Sequence, residues 1–251
     1  MSKLTDNRSQ KNAPPKVSLV CVTYNAGKHL PQLLKSIDQH RTTDTELVII
    51  DGNSTDDTLE IIGQNAHLVD FYLSEPDAGI YDAMNKAIRH TQGQWILFLG
   101  ADDKLESGYG AMVSELKEPH TIYYGNVIFY GEEYKEVFDD YLLTKTNICH
   151  QGIFYTKAIF KKYEYDLKYK VYADYHLNLR CWKDKEFKFE HLPHLVSSYA
   201  VGGFSTQVVD ALFEQHRRQL YKQYIDRYTY YRYLNRTTGW FNTLKSLILN
   251  K

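Results

Sequence analysis

Val17-Ser-Leu-Val-Cys-Val-Thr23, running directly into Tyr24-Asn25, is the stretch that decides the fold. Its residues are apolar and β-branched without alternation, the pattern of a strand covered on both faces in a parallel sheet. Downstream the period changes. Leu30, Leu33, Leu34 and Ile37 fall on one face of a helix predicted over 28–40. Glu46–Asp51 reads as a second strand, Thr55–Gly63 as a helix, Leu68–Ser74 as a strand, Tyr81–Thr91 as a helix and Gln94–Leu99 as a fourth strand. Strands alternating with helices at this spacing predict an α/β domain with a mostly parallel sheet.

Beyond Asp103 the rhythm is less regular. A helix is expected over Ser107–Leu116, strands over Thr121–Tyr130 and Tyr134–Phe138 as an antiparallel portion, a helix over Ala173–Asp184 and a strand over Phe187–Tyr199. Gly202-Gly203 should break the chain before one long helix, Ser205 to Leu234. An amphipathic segment, Trp240–Leu249, closes it. The expected division is a polar tail at 1–16, an α/β domain at 17–204 with halves at 17–103 and 104–204, and a helical extension at 205–251.

Charge separates along the same lines. The 251 residues carry 30 basic and 31 acidic groups, a net of −1. From His216 to Lys251 there are eight basic residues and one acid, so an acidic body ends in a basic extension. Near-neutral charge argues against a nucleic-acid binder. The three cysteines, Cys21, Cys149 and Cys181, form no C-x-x-C pair and read as reduced thiols. Residues 1–16 are polar and lack a secretory pattern, and apolar runs such as Trp95–Leu99 are far shorter than a membrane span. These features predict a cytoplasmic protein. Tyrosine is abundant, 22 against 11 Phe and 3 Trp, and Tyr221, Tyr224, Tyr228, Tyr230, Tyr231 and Tyr233 crowd the basic extension, where they suggest docking.

In parallel sheets ligands collect at the carboxyl ends of strands. Those ends carry Thr23-Tyr24-Asn25, Asp51-Gly-Asn-Ser-Thr-Asp-Asp57, Glu75-Pro-Asp-Ala-Gly-Ile-Tyr-Asp82 and Gly100-Ala-Asp-Asp103. Turn-forming and N-capping account for one such loop more readily than for four. The remainder points to a polar ligand with a divalent cation, and Asp102-Asp103 sits where carboxylates would share a metal with a diphosphate.

These four motifs, in this order, resemble glycosyltransferase family 2, the inverting nucleotide-sugar enzymes of the GT-A fold, over Val17 to about Gly203. The Glu75–Lys86 string looks like the subgroup of bacterial capsule, exopolysaccharide and lipopolysaccharide assembly. The resemblance implies a Rossmann-like nucleotide-sugar-binding domain with a mixed central sheet. It implies that Thr23 and Asn25 line the nucleotide pocket and that Asp51 hydrogen-bonds the base, typically uracil. Asp102 would lie near the ribose and diphosphate, Asp103 would ligate Mn²⁺ or Mg²⁺, and Asp77 and Lys86 would belong to the donor wall. Tyr172-Ala-Asp-Tyr-His-Leu177 is similar to the family's acidic stretch, with Asp174 as general base; Ala173 and His176 depart from it. Packing is the expected role of His176. Cys149-His-Gln-Gly152 resembles a further family element, with His150 and Gln151 contacting the donor. His191 and His194 read as structural.

The implied partners are a nucleotide-sugar, typically a UDP-sugar, and a saccharide or polyprenyl-linked acceptor. The basic extension, 216–251, would meet an anionic membrane on its inner face, a second subunit or its own domain. A nucleotidyltransferase is the less favoured alternative, because no glycine-rich phosphate loop with Arg and Lys follows the first strand. A non-catalytic sugar-binding relative is another, opposed by the presence of Asp51, Asp102, Asp103 and Asp174.

Overall fold

The computed structural model describes residues 3–8, 13–199 and 208–238. Strand β1 is Lys3–Asp6 and β2 is Val17–Thr23; α1 is Leu30–His40 and β3 is Thr45–Asp51. Helix α2 (Thr58–Gln64), β4 (Phe71–Ser74), α3 (Ile80–His90) and β5 (Trp95–Gly100) follow. All seven residues of β2 are buried, as its unbroken apolar pattern requires. It pairs in parallel with β3 on one side and β5 on the other, and β3 pairs in parallel with β4. The register places Thr23 opposite Asp51, Asp51 opposite Ser74 and Val22 opposite Gly100, so four strand ends share one edge.

The second half supplies β6 (Lys104–Leu105), α4 (Tyr109–Glu115), β7 (Thr121–Phe129), β8 (Glu132–Tyr134), α5 (Asp140–Leu143) and β9 (Ile153–Thr156). Helix α6 (Ala173–Lys183), β10 (Lys188–Ser198), α7 (Ala211–Tyr224) and α8 (Arg227–Thr238) complete it. The sheet order is β1-β4-β3-β2-β5-β9-β7-β10-β6, with β8 paired to β7. Strand β9 runs antiparallel to both β5 and β7, which makes the sheet mixed.

Side chains alternate across β2 into two cores. Val20 and Val22 join the cluster with Ala83, Met84, Tyr175 and Phe213, while Leu19 and Cys21 join Leu30, Leu33, Leu34 and Ile37. Each face of the sheet thus receives an apolar helix stripe, giving a three-layer α/β arrangement. Phe213, Leu220, Tyr221, Ile225 and Tyr233 of the C-terminal helices lie in the first cluster, together with residues of the sheet. Removing any one of them opens a cavity in that shared core.

Several expectations are corrected. The polar N-terminal stretch contains β1, an edge strand antiparallel to β4. The strand expected at Tyr134–Phe138 is instead Glu132–Tyr134, because Tyr130 and Gly131 turn the chain at φ 52° and 80° and start the return arm at once. The anticipated antiparallel portion includes a parallel pair, β7 with β10. The long helix is two helices. Ile225 leaves the helical path, and the Asp226 carboxylate accepts from the backbone N–H groups of Tyr228 and Thr229 at 2.8 and 3.1 Å, restarting it. Strand β9, in the middle of the sheet, was not anticipated. The expected break at Gly202-Gly203 and the segment Trp240–Leu249 lie outside the described residues.

Candidate active site

The acidic strand ends divide by what their carboxylates touch. Asp51 is fully buried, and its oxygens accept four hydrogen bonds: from Thr23 Oγ1 (2.9 Å), Ser54 Oγ (2.5 Å), backbone N–H of Ser54 (2.9 Å) and Ser74 Oγ (2.7 Å). That fills the acceptor capacity of a carboxylate. Asp51 and Thr23 therefore lock the ends of three strands beneath the edge. Asp56 accepts from Gly27 N–H and Thr58 N–H, each at 3.0 Å, and Asp77 from Gly79 N–H at 2.8 Å. Local capping absorbs more of these acids than the sequence suggests. Lys86 donates to the Pro76 carbonyl at 2.7 Å and pairs with Glu75 and Asp82 at 3.2 and 3.4 Å, clamping the 75–82 loop. Burial pulls its ammonium down, but those two carboxylates carry it upward on balance.

Asp102 and Asp103 behave differently. Both line a cleft of about 260 Å³ with Asn25, His29, His150 and Gln151. Asn25, held at φ 47°, accepts from Thr55 N–H at 2.9 Å. Asp103 is 1% exposed and accepts from Gly100 N–H at 2.6 Å. A Cβ on residue 100 would lie 2.8 Å from Asp102 Oδ1 and 3.1 Å from Asp103 Oδ2, so glycine there lets the two carboxylates converge. Among the described residues no group of three or more His, Cys, Asp and Glu side chains could hold a metal ion. Two converging carboxylates nevertheless fit a hard divalent cation that takes its remaining ligands from water and substrate phosphates.

Asp174 stands in the first turn of α6 and is 7% exposed. Its Oδ1 lies 3.0 Å from Tyr81 Oη and accepts from Tyr175 N–H at 2.7 Å. Its Oδ2 accepts from Asn147 Nδ2 at 2.9 Å and lies 3.4 Å from His150 Nδ1. Tyr81 has one hydroxyl proton and a second acceptor, the Val171 carbonyl at 2.6 Å, so it serves the two in competition. Burial and then the Asp174 charge push the Tyr81 phenol well above its ordinary range.

A second cavity, about 310 Å³, opens onto Asp174. It shares Tyr81, His150, Gln151, Val171 and Tyr199 with the first, so these five residues form the wall between them. Cys149 is pushed up to about 12 by burial, with Asp103 and Asp174 adding to the rise from the two sides. The structure thus brings together Asn25, Asp102, Asp103, His150, Gln151 and Asp174, and leaves Thr23, Asp51, Asp77 and Lys86 outside the lining of either cavity.

Sequence reasoning missed the groups that hold Asp174. Tyr155 Oη donates to Asn178 Oδ1 (2.8 Å), Asn178 Nδ2 to Asn147 Oδ1 (2.8 Å), and Asn147 Nδ2 to Asp174. Each link fixes the orientation of the next amide. Asn147 lies two residues before the Cys149–Gly152 motif, a proximity that was its one sequence signal. Asn85 belongs to the frame, exchanging two 3.0 Å hydrogen bonds with the backbone of Tyr165. His176 is buried edge-on against Tyr169, as expected of a packing residue. His191 and His194 reach Asn126 and Glu115 at 2.8 and 2.7 Å.

The profile of glycosyl transferase family 2 matches residues 18–176. A PGL/p-HBAD biosynthesis glycosyltransferase of Mycobacterium bovis is 38% identical over 214 residues, covering 80% of this chain and 83% of the relative. Among solved structures, S. aureus TarS 1-349 in complex with UDP-GlcNAc is similar with a TM-score of 0.62 and 16% identity, over 82% of this chain and 65% of that one. The mannosyltransferase PcManGT of Pyrobaculum calidifontis, in complex with GDP-Man and Mn²⁺, gives 0.57 at 18% identity over 85% and 64%. At such identities the likeness carries the fold, which is GT-A.

Proposed function

The chain belongs to glycosyl transferase family 2, and from that premise we propose that it moves a sugar from a UDP-sugar to a hydroxyl of a saccharide or lipid-linked acceptor, with inversion, in surface-polysaccharide or lipopolysaccharide assembly. One observation carries this reading: the cleft with Asp102 and Asp103 meets the cavity with Asp174 across a single wall containing His150. Two substrates entering from opposite sides would meet there.

In this reading Asp102 and Asp103 would hold Mn²⁺ or Mg²⁺ together with the donor diphosphate. The metal supplies Lewis-acid stabilisation of the leaving diphosphate. Asn25 and His29 line the same cleft. Asp174 takes the proton of the acceptor hydroxyl as that oxygen attacks the anomeric carbon, a general-base role that needs a carboxylate within hydrogen-bond reach. Tyr81 and Asn147 fix its two oxygens, and His150 lies where it would contact both the donor and the base. Attack from the acceptor cavity, opposite the diphosphate, inverts the anomeric centre. Asp51 and Thr23 support the edge from below, and Asp77 and Lys86 hold the 75–82 loop as donor-side wall.

The basic extension is proposed to face an anionic membrane surface. No helix among the described residues is long and apolar enough to cross one. A panel of UDP-, GDP- and dTDP-sugars with Mn²⁺, read by thermal shift, tests the donor assignment. Selective stabilisation by UDP compounds is expected, and a ligand at about 100 times its Kd adds roughly 2.7 kcal/mol. A response confined to GDP-sugars would overturn the choice of nucleotide.

A further inference from the structure

We propose that the acceptor carries its reactive hydroxyl next to an apolar, ring-sized group that lodges in the cavity beside Asp174. The inference rests on the glycosyltransferase reading for the hydroxyl end and on the cavity itself for the apolar end. The two cavities that meet at His150 differ in chemistry. The metal-side cleft is lined by Asn25, His29, Asp102, Asp103 and Lys170, which suits an anionic, hydroxyl-rich donor. In the other, Asp174 contacts both Asn147 and His150. The rest of the lining is mostly apolar or aromatic, with Val127, Phe129, Tyr134, Phe138 and Tyr199 beside the single carboxylate of Glu136.

The aromatic part of that wall is a packed surface. Phe129 meets Tyr199 at 5.0 Å, Tyr134 at 6.1 Å and Tyr130 at 4.5 Å between ring centroids. The neighbouring phenol of Tyr124 accepts from Phe138 N–H at 2.9 Å, which keeps that lone pair from a ligand. A free saccharide could lay a C–H face on this wall, but any hydroxyl turned toward its aromatic part would lack a partner. A ring or short apolar group would instead gain burial.

The apolar character continues out of the cavity. Tyr134, in the cavity lining, is 51% exposed, and Tyr130, against Phe129, is 62% exposed. Tyr130 is held at φ 52° in the hairpin turn, where Asn or Gly would be free of strain. Tyr130 thus presents an aromatic ring to solvent directly beside Phe129. An acceptor with a hydroxyl head and an apolar body would place its head at Asp174 and its body along Phe129 toward Tyr134.

The test compares phenyl β-D-glucopyranoside with methyl β-D-glucopyranoside as ligands of the full chain, titrated by NMR line broadening and calorimetry. The phenyl compound is expected to bind at least about tenfold tighter, since the added ring is the only difference. Phe129→Ser and the half-exposed Tyr134→Ser, each checked for an unchanged unfolding transition, should reduce that ratio at least threefold while leaving the methyl compound unaffected. Tyr134→Ser keeps the test decisive should Phe129→Ser fail to fold. Equal affinities, or a phenyl preference untouched by Tyr134→Ser, overturn the proposal. UDP binding is measured in parallel. Its absence together with a phenyl preference sensitive to Tyr134→Ser would count against the UDP-sugar reading alone, leaving the cavity assignment in place.

Discussion

His150 Nδ1 lies 3.4 Å from the Asp174 carboxylate, and the pair stands in the wall between the two cavities. A group arriving from either side meets one member of this pair. That contact links a cleft built at strand ends to a helix start more than seventy residues further along the chain.

Replacing the proposed base is the most direct test. Asp174→Asn keeps the size of the side chain and its contact with Tyr81, and removes the ability to take a proton. The transfer rate should fall by roughly 10²–10⁴, the usual contribution of general acid–base catalysis, while the Kd for UDP stays within about twofold. Steady-state kinetics with a parallel nucleotide titration reads both. A variant at near-full rate would remove Asp174 from the mechanism.

The carboxylates above Gly100 should govern the response to divalent cations. Asp103→Asn retains the hydrogen bond from Gly100 N–H and removes the charge. The Mn²⁺ concentration for half-maximal activity should rise at least tenfold, with little change in thermal stability. Gly100→Ala is a second probe, since its methyl group would press on Asp102 and Asp103 at 2.8 and 3.1 Å. Both should weaken the metal dependence without touching the acceptor side. An unchanged Mn²⁺ titration in both would move the metal elsewhere.

Asn147 is argued to be a positioning residue. Removing its hydrogen bond to the carboxylate in Asn147→Ala should lower kcat about tenfold with KM for donor unchanged, the order expected for a bond to a charged group. Asn147→Asp places a second carboxylate beside Asp174, which disfavours ionisation of the pair. The acid limb of the rate profile should then shift to higher pH. A simple loss of fold would lower activity with no such shift, so the pH profile separates the two explanations.

How much of this was legible in sequence follows from where the restraints lie. Strands β2, β3 and β5 were readable because burial on both faces forces unbroken apolar runs. Asp103 and Asp174 stand out in the sequence as parts of motifs, and the structure places them in the lining of adjoining cavities. Asn147 was not, because what orients it comes from Asn178 and Tyr155, on a different helix and strand. Strand β9 escaped because four residues, Ile153–Thr156, are too few to show a period of their own. Asp51 looked like a ligand group because it is acidic and at a strand end, yet its four donors come from three separate strand ends. The break at Asp226 did have a signal, an N-capping residue in front of a helical stretch, hidden inside a continuous tyrosine-rich pattern.

Stability should depend on pH through His176. Burial, with Arg180 nearby, lowers its imidazole from the ordinary 6.5 to about 4. Between those values the unfolded chain binds a proton that the folded chain refuses. Stability is therefore full above pH 6.5 and is lost progressively as pH falls toward 4. The melting temperature should drop between pH 7 and 4.5, and His176→Gln, which cannot gain a charge, should flatten that fall. Parallel curves for the two proteins would assign the acid sensitivity to other groups.

The basic extension makes the last prediction, because part of its charge is already used. The Arg232 guanidinium sits 3.9 Å from the centroid of the Tyr141 ring, with Lys145 at 4.2 Å, and Arg236 donates to the Thr144 carbonyl at 3.1 Å. These contacts dock α8 on α5 and cost nothing in membrane affinity if they break. Arg227, Tyr228 and Tyr231 are exposed on the same helix. Cation–π contacts at exposed sites are worth about 0.5–1 kcal/mol, so Arg232→Gln should lower the melting temperature slightly and leave vesicle binding nearly unchanged. Removal of residues 239–251, with their apolar residues and two lysines, should do the reverse, reducing partition onto phosphatidylglycerol vesicles with the transition temperature preserved. Co-sedimentation at low and high salt measures the first quantity and scanning fluorimetry the second. If the truncated chain still partitions fully and Arg227→Gln is what releases it, the membrane-facing surface is α8 itself and not the segment beyond it.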